Sequence, residues 1–356
     1  MGRLRYLIVG SGYRAEFYGR IARTYPELFQ AMYLCRSEEK AALMRQKTGA
    51  GATVSESVAE RFSPDFVVVA VNKANIADVC GEWAERGYPV LSETPAGASL
   101  TQLKHLWELR ETKSARIVVC EQYHRYPELA AGLNAVAQGK IGTPQSAYLS
   151  LAHDYHAASL LRRMLAVDGE AFSLRGENIE NPIVETDSRY GPITDGRIAE
   201  KTRSVLHITY ASGKRAVYDF SGVQYRSFIR SRHLTVRGDR GEWTDNLLLY
   251  LDDQNRPRRV YLRQEIHERY RSLDTPELQE LQELRRDRRS QLRMENAQDE
   301  YAIAAMLLDM GAYLNGGPEP YALREALDDS YFWLLAQEAA AAPWTPVDSR
   351  GMPWNG

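Results

Sequence analysis

The sequence predicts an α/β fold with two domains, an N-terminal doubly wound parallel sheet followed by an α/β domain whose sheet is open and mainly antiparallel. Three observations carry this prediction. The chain has 356 residues, which suits about two domains. Short apolar runs alternate with amphipathic segments up to residue 120, and beyond residue 200 alternating runs are separated by turn residues.

Five runs of consecutive apolar residues predict the strands of the first sheet, because such runs suit strands that are covered on both faces. They occupy residues 7–9, 31–34, 66–71, 90–91 and 117–119. The segments between them, such as 74–87 and 100–113, have helical spacing. We therefore assign residues 1–122 to a dinucleotide-binding domain of the doubly wound type.

The pattern of apolar and polar residues changes in the remainder of the chain. Helices are predicted at 128–139, 156–165, 275–313 and 322–342, and strands at 147–151, 205–210, 215–220, 234–237 and 247–251. The arginine cluster at 285–293 is interpreted as a solvated helix face. We assign residues 123–342 to a domain for substrate binding and oligomerisation, and 343–356 to a C-terminal tail.

Composition and charge exclude several classes of protein. A net charge of −2 argues against a generally basic protein that binds nucleic acid. Three cysteines in apolar surroundings do not form a disulfide framework. With no room for a signal peptide before the first strand and no apolar stretch of about 18 residues, we expect a cytoplasmic protein without a membrane partner.

A G-x-G-x-x-A element directly follows the first predicted strand and opens a helical pattern. It predicts binding of a dinucleotide, because Gly10 permits a tight turn, Gly12 lets the backbone approach a pyrophosphate, and Ala15 allows close packing of helix on strand. The phosphates lie at the positive end of the helix. The predicted cofactor-binding residues of this element are Gly10, Ser11, Gly12, Tyr13 and Arg14.

The end of the second strand bears on the choice of cofactor. An acidic residue there usually holds the ribose of NAD, whereas this chain has Arg36 and Ser37, which suit a 2′-phosphate. The sequence thus predicts NAD or NADP, with a slight preference for NADP. Alternatively, Arg36 stacks on adenine or pairs with Glu38 or Glu39.

Several segments, in order, resemble the Gfo/Idh/MocA family of sugar-active dehydrogenases. They are the glycine motif, the strand end from Val68 to Asn72, the Gly87 to Pro95 segment with Glu93 and Thr94, the Glu121 to Pro127 segment with Gln122, Tyr123 and His124, and the Gly139 to Gly142 turn. The resemblance implies an N-terminal Rossmann domain, hydride transfer between a sugar carbon and nicotinamide, and a C-terminal sheet that often forms the oligomer interface. It adds Val71, Asn72, Glu93, Thr94 and Gln122 to the predicted cofactor site.

The chain also departs from the family pattern. The Glu-Lys-Pro element of the family is Glu93-Thr94-Pro95 here, so the lysine that assists proton removal is replaced by Thr94, which is no base at neutral pH. In the second domain, His153 matches the family's central histidine, Leu149 occupies the first acidic position and His156 the last. His124 stands where an arginine is usual.

Without the lysine, a histidine is the best candidate for the proton transfer. His153 is the first choice because an ordinary imidazole titrates near neutrality. The predicted catalytic residues are His153, His156, Asp154, Tyr155 and His124. Alternatively, His153 and His156 are structural, or they bind a metal ion together with Asp154 and His124; the sequence offers no second fixed ligand cluster, so no metal is predicted.

Arginines in the second domain bear on the substrate. Arg226, Arg230 and Arg232 suit a carboxylate on a sugar, and with Tyr123 they are the predicted substrate-binding residues; alternatively, they are solvated surface charges. The leading hypothesis is an NAD(P)-dependent oxidoreductase that acts on a carbohydrate or polyol, acidic sugars included, and forms a homodimer or homotetramer. The alternatives are an NAD-dependent glycoside-cleaving or eliminating enzyme without net redox change, and a nucleotide-binding sensor without catalysis.

Overall fold

The computed structural model describes residues 2–188, 191–262 and 297–355. Within these residues the chain divides into two compact units. The N-terminal unit comprises residues 2–126 and 297–330, and the C-terminal unit comprises 127–188, 191–262 and 331–355. The predicted arginine cluster at 285–293 and the first part of the helix predicted at 275–313 lie outside the described residues.

The N-terminal unit is built on a six-stranded parallel sheet with the strand order β3-β2-β1-β4-β5-β6. Its strands are β1 (Leu4–Val9), β2 (Phe29–Leu34), β3 (Gly51–Thr53), β4 (Phe66–Val69), β5 (Val90–Ser92) and β6 (Ile117–Val119). The helices that connect these strands are α1 (Tyr13–Thr24), α2 (Glu38–Thr48), α3 (Glu56–Arg61), α4 (Ile76–Glu85) and α5 (Leu100–Lys113). This arrangement confirms the predicted doubly wound sheet.

Consecutive apolar residues form the centre of this sheet. Leu7 and Ile8 in β1 and Val67 and Val68 in β4 have no solvent-exposed surface. A strand whose successive side chains are all buried must be covered on both faces, as the runs of apolar residues predicted. The sequence analysis did not predict β3, whose three residues are Gly, Ala and Thr.

The C-terminal unit is built on a larger sheet with the order β16-β15-β14-β13-β7-β12-β11-β8-β17. Its strands are β7 (Pro144–Ser150), β8 (Phe172–Val184), β11 (Ile198–Tyr210), β12 (Arg215–Phe220), β13 (His233–Gly238), β14 (Gly241–Thr244), β15 (Leu247–Leu251), β16 (Pro257–Tyr261) and β17 (Val347–Asp348). The β7–β12 pair is parallel and the other pairs are antiparallel, which confirms the mainly antiparallel sheet. The strands β9 (Asp187–Ser188) and β10 (Gly191–Pro192) pair separately.

The helices of the second half of the chain begin with α6 (Pro127–Ala137) and α7 (Asp154–Leu165). Two long helices, α8 (Ala297–Leu314) and α9 (Leu323–Ala341), lie between β16 and β17 in the chain. Short 3-10 turns span Tyr123–Arg125 and Gly222–Tyr225. In the part of the chain that the structure describes, no helix is both long and apolar enough to cross a membrane.

Strand β8 is the largest element that the sequence did not predict. Charged residues and a glycine interrupt its apolar pattern, yet all thirteen of its residues pair with β11. Gly176 is required there, because a Cβ atom at this position would lie 2.0 Å from the carbonyl oxygen of Val205. Long-range pairing, rather than local pattern, therefore determines this strand.

Candidate active site

The glycine motif of the N-terminal unit forms a tight turn between β1 and α1. Gly10 has a φ of +131°, which L-residues rarely adopt, and a Cβ atom there would lie 2.2 Å from the carbonyl oxygen of Ala70. Glycine is therefore required at position 10. The requirement comes from the protein itself, since the neighbouring backbone at the end of β4 leaves no space for a side chain.

Gly12 has a different role. It is the N-cap of the twelve-residue helix α1, and no side chain caps the helix there. A Cβ atom at Gly12 would meet no protein atom within 4 Å. The open space thus adjoins uncapped backbone N–H groups at the positive end of a helix, where a phosphate binds favourably. These features fit the pyrophosphate of a dinucleotide.

Arg36 and Ser37, the residues that bear on the choice between NAD and NADP, differ in their surroundings. The Ser37 hydroxyl caps α2 by accepting the Lys40 N–H at 3.3 Å. Arg36 is exposed, and Glu38 pairs with Arg45 at 3.7 Å. The Ser37 hydroxyl therefore already serves a structural purpose, whereas Arg36 is open to solvent.

Two predicted cofactor residues follow β4 and two follow β5. Val71 is half-buried and Asn72 is exposed, and the Asn72 side chain accepts the Asn75 N–H at 3.1 Å. Glu93 is buried and Thr94 is half-buried. All four lie just beyond the carboxyl ends of central parallel strands, the edge at which sheets of this kind bind ligands.

Arg14 is held by two carboxylates of the N-terminal unit. Its guanidinium lies 3.1 Å from Glu93 Oε1 and 3.2 Å from Asp299 Oδ2. The Tyr18 hydroxyl, one helical turn after Arg14, donates to the same Glu93 oxygen at 2.8 Å. Burial on its own would lower the pKa of Arg14, but the carboxylates outweigh burial and raise it. The cation is therefore permanently charged and engaged.

Asp299 joins this cluster from α8, and the sequence analysis did not identify it. Burial raises the pKa of its carboxyl above the ordinary value, although the charge of Arg14 opposes the shift. The Tyr126 hydroxyl also donates to Asp299. With its amide oriented to donate to the Cys120 carbonyl at 2.7 Å, Gln122 accepts from Arg14 at 3.0 Å. Gln122 thus lies in the same polar network.

Two further predicted residues lie in the 3-10 turn Tyr123–Arg125. Tyr123 is 6% exposed, and its ring packs on Tyr126 with the centroids 4.7 Å apart. The imidazole of His124 stacks on Tyr321 at 5.5 Å. Both predicted residues therefore belong to the N-terminal unit and make aromatic contacts within it.

The remaining predicted catalytic residues come together at the start of α7 in the C-terminal unit. His153 is the N-cap of the helix and is half-buried. Its ring lies edge-on to that of His156 at 4.9 Å and to that of Tyr155 at 5.3 Å. Tyr155 and His156 are each 4% exposed. The backbone N–H of Asp154 donates to the Tyr218 hydroxyl at 3.3 Å.

Tyr225, which the sequence analysis left without a role, contacts this cluster directly. Its hydroxyl oxygen accepts the backbone N–H of His153 at 3.0 Å and lies 2.6 Å from Nδ1 of the same residue. The other ring nitrogen, Nε2, lies 3.3 Å from the Tyr155 hydroxyl. The imidazole is thus placed between two phenolic hydroxyls.

The predicted substrate-binding arginines of the C-terminal unit do not form one cluster. Arg230 lines a cavity of about 350 Å³ together with Lys201 and Arg203, and Arg226 lines a neighbouring cavity of about 330 Å³. Arg232 is exposed and lies over the ring of Tyr225 at 5.8 Å. Within the described residues, no group of three or more His, Cys, Asp or Glu side chains is arranged to hold a metal ion.

Residues 4–121 match the model of an oxidoreductase family with an NAD-binding Rossmann fold, Gfo/Idh/MocA. No curated protein sequence matches the chain. Three solved structures illustrate the likeness of the whole chain, and at their low sequence identities it shows the fold alone.

The first is an oxidoreductase from Agrobacterium radiobacter in complex with NAD+, L-tartaric acid and magnesium. It is 13% identical with a TM-score of 0.71, over 97% of this chain and 98% of that chain. A levoglucosan dehydrogenase in complex with NADH is 16% identical with a TM-score of 0.71, over 98% and 100%. The WlbA dehydrogenase from Chromobacterium violaceum, in complex with NADH and UDP-GlcNAcA, is 12% identical with a TM-score of 0.66, over 98% and 97%. Residues 4–121 of this chain are thus similar to the NAD-binding Rossmann domain of the Gfo/Idh/MocA oxidoreductases.

Proposed function

We propose that this protein is an NAD-dependent oxidoreductase of a carbohydrate or polyol, with His153 as the acid and base of the reaction. The observation that carries the proposal is the turn from Gly10 to Gly12, which requires glycine and leaves open space at an uncapped helix end. The carbohydrate class is supported by two solved structures of the same fold, a levoglucosan dehydrogenase and a dehydrogenase that holds UDP-GlcNAcA.

The cofactor is assigned to the carboxyl ends of the parallel strands. The backbone from Gly10 to Arg14 holds the pyrophosphate, and Arg14 acts there through its backbone, because its guanidinium is engaged by Glu93 and Asp299. The residues that complete the cofactor site are Val71, Asn72, Glu93, Thr94 and Gln122. We favour NAD over NADP, because Ser37 caps a helix and the three solved structures hold NAD+ or NADH.

When bound, nicotinamide supplies the group that accepts or gives the hydride. The protein's part is to take the proton from the reacting hydroxyl, and Thr94 offers no basic group for this step. His153 offers one, and its ring is held by packing and by hydroxyl contacts on both nitrogens. Asp154 and His156 complete the cluster, and His124 and Tyr123 are further candidates for substrate contact.

The substrate class includes sugars that carry a carboxylate. Two of the four Lys and Arg side chains that line the cavities of the C-terminal unit are paired with carboxylates: Arg203 with Asp219, and Lys201 with Glu185 at 2.7 Å. The guanidinium of Arg230 donates to the adjacent carbonyl of Ile229 at 2.8 Å. Arg230, with Arg226 and Arg232, is the best candidate to bind a sugar acid.

The test of this proposal is a turnover assay with NAD+ and a panel of sugars, polyols and sugar acids, followed by His153→Ala. We expect the variant to bind NAD as the wild type does and to lose at least about 100-fold in kcat, the contribution typical of a general base. His105→Ala, at an exposed position in the middle of α5, is the matched control. Full turnover by His153→Ala contradicts the assignment of the proton transfer.

A second candidate reaction is cleavage or elimination of a glycoside with no net redox change. It is favoured by Thr94 in place of the family lysine. If this reaction operates, the purified protein retains NAD, cleaves an aryl glycoside and accumulates no NADH. Net formation of NADH with a sugar alone decides for the dehydrogenase.

We also propose that the C-terminal sheet associates with a second copy of the chain, giving a dimer or tetramer. Ile198 and Val184 are register partners at the end of β11 and β8, and they are 67% and 37% exposed. A second copy that covers this pair removes its apolar surface from water, which favours association. Light scattering on the wild type and on Ile198→Glu tests this proposal, which predicts a smaller particle for the variant.

A further inference from the structure

The hydroxyl of Tyr225 makes two contacts with one residue, His153. It accepts the backbone N–H and lies 2.6 Å from the ring nitrogen Nδ1. Tyr225 ends a 3-10 turn that is fixed by a capping box between Ser221 and Gln224. Its ring packs on Phe220 with the centroids 5.1 Å apart. The capped turn and the contact with Phe220 therefore also hold the Tyr225 hydroxyl in place.

The two contacts indicate the tautomer of the imidazole. A phenolic hydroxyl can both accept and donate a hydrogen bond, so the Tyr225 hydroxyl can accept the backbone N–H of His153 and donate its own hydrogen to Nδ1 of the same residue. The separation of 2.6 Å is short for an N–H donor, for which about 2.9 Å is usual, and suits an O–H donor. The imidazole hydrogen is then on Nε2, facing the Tyr155 hydroxyl at 3.3 Å.

We propose that the Tyr225 hydroxyl carries the proton between the substrate and His153. Only an unprotonated nitrogen can accept a proton, and in this tautomer that nitrogen is Nδ1, which faces Tyr225. A proton that reaches Nδ1 therefore passes through the phenolic oxygen. The proposal rests on the proposed function for the use of the proton, whereas the tautomer and the hydrogen bond do not depend on it.

The step balances in both directions. In oxidation, the substrate O–H bond breaks and its proton goes to the Tyr225 oxygen, while the proton of Tyr225 moves to Nδ1 of His153. The substrate C–H bond breaks, and its hydrogen and electron pair would be taken up as hydride by a bound nicotinamide, the hydride acceptor that the proposed function names. The products are a carbonyl, a neutral tyrosine and an imidazolium. In reduction, the same protons return.

The surroundings of the pair are suited to this exchange. Tyr155 and His156 of α7, together with Asp154, are the titratable groups that face His153 from its own element. From the other side it faces Tyr225, over whose ring the guanidinium of Arg232 lies at 5.8 Å. A cation over the ring favours the electron-rich phenolate that forms transiently when Tyr225 gives up its proton.

The first test needs no substrate. In protein labelled with ¹⁵N-histidine, with His153→Gln used for assignment, we expect His153 to show an unprotonated, hydrogen-bonded Nδ1 and a protonated Nε2. We expect Tyr225→Phe to shift the Nδ1 resonance. A wild-type protein that shows the Nδ1–H tautomer overturns the proposal, and so does an Nδ1 resonance that Tyr225→Phe leaves unchanged.

The second test compares two tyrosines that each bond a backbone N–H at the start of α7, Tyr225 with His153 and Tyr218 with Asp154. We expect Tyr225→Phe to lose at least about 100-fold in kcat and to alter the pH profile of kcat, since a proton carrier is removed. We expect Tyr218→Phe to lose about fivefold or less, as for one neutral hydrogen bond.

The outcomes separate the proposal from the function on which it rests. Activity of Tyr225→Phe equal to that of Tyr218→Phe, together with an inactive His153→Ala, overturns the role of Tyr225 and leaves the proposed function in place. Full activity of His153→Ala overturns the proposed proton transfer itself. In that case the tautomer measured by ¹⁵N spectroscopy still decides whether the hydrogen bond exists.

Discussion

The guanidinium of Arg14 lies 3.1 Å from the carboxylate of Glu93, so the fifth residue of the glycine motif is bound to the first residue of the Glu-Thr-Pro element. Asp299 binds the same guanidinium at 3.2 Å. A positive charge therefore lies beside Glu93 although the following residue is Thr94 and no lysine. The pKa of Arg14 is raised, so the guanidinium stays protonated and cannot serve as a base. The role of Arg14 is to hold the two carboxylates.

Replacing Arg14 with methionine should destabilise the N-terminal unit. The Glu93 side chain is 5% exposed, and the side chains of Arg14 and Asp299 are 28% and 26% exposed, so removal of the cation leaves two carboxylates in a mostly buried site. We expect a loss of about 3 kcal/mol in the free energy of unfolding, at the lower end of what a broken buried pair costs. Urea unfolding monitored by fluorescence measures it.

The loss should depend on pH. Burial already raises the pKa of Asp299, so its ionisation costs stability as the pH rises through the folded-state pKa. Removal of Arg14 raises this pKa further, so stability is lost over a pH range that extends to higher values. Arg14→Met should therefore lose less stability at pH 5 than at pH 8. Arg14→Lys keeps the charge and is the control. Equal losses at both pH values contradict this explanation.

The two glycines of the dinucleotide motif should respond differently to alanine. Gly10→Ala places a Cβ atom 2.2 Å from the Ala70 carbonyl at a φ of +131°, and we expect it to cost about 3 kcal/mol of stability. Gly12→Ala enters open space at a φ of −86° and should cost less than about 1 kcal/mol. Thermal unfolding of both variants measures this difference.

The affinity for NAD should show what Gly12 contributes beyond stability. We expect Gly12→Ala to remain folded with little loss of stability but to bind NAD at least about tenfold more weakly, because its methyl group occupies the space assigned to the pyrophosphate. Titration calorimetry measures the affinity. Wild-type affinity in Gly12→Ala would show that the pyrophosphate does not lie at this helix end.

The local sequence pattern determined the first sheet more fully than the second. Buried parallel strands such as β4 consist of consecutive apolar residues, a signal that needs no knowledge of neighbours. Strand β8 lacks that signal, because Arg175, Gly176 and Glu177 interrupt it and its stability comes from pairing with β11, whose residues lie more than a dozen positions away. Such pairing cannot be read from one segment alone.

The residues of the candidate site also divide into those that the local sequence predicts and those that only the tertiary fold brings together. The histidine cluster could be predicted because His153 and His156 are close in sequence and one helical turn apart on the same helix. Tyr18 also lay within reach of sequence analysis, since it is four residues after Arg14. Asp299 and Tyr225 had no such signal, because each reaches its partner only through the tertiary fold.

The ion pair of Arg203 and Asp219 in the C-terminal unit should make the free energy of unfolding depend on pH in the acidic range. Burial alone would raise the pKa of Asp219, but hydrogen bonds from Arg203 and from Tyr148, at 3.0 Å, outweigh it and lower the pKa. The folded state thus favours the ionised carboxyl, so this contribution is complete above the ordinary pKa of about 3.9 and is lost as the pH falls through the lower, folded-state value. Because Arg203 is 46% exposed, solvent limits the pair to about 1 kcal/mol.

Asp219→Asn should therefore be less stable than the wild type at pH 6, and the difference should shrink on acidification to pH 3. Urea unfolding at both pH values measures the difference in the free energy of unfolding. The control is Asp253→Asn, an exposed carboxylate in the turn after β15, which removes the same charge away from this pair. If the deficit of Asp219→Asn is as large at pH 3 as at pH 6, then packing or hydrogen bonds that do not need the charge stabilise this part of the sheet, and the ion pair does not.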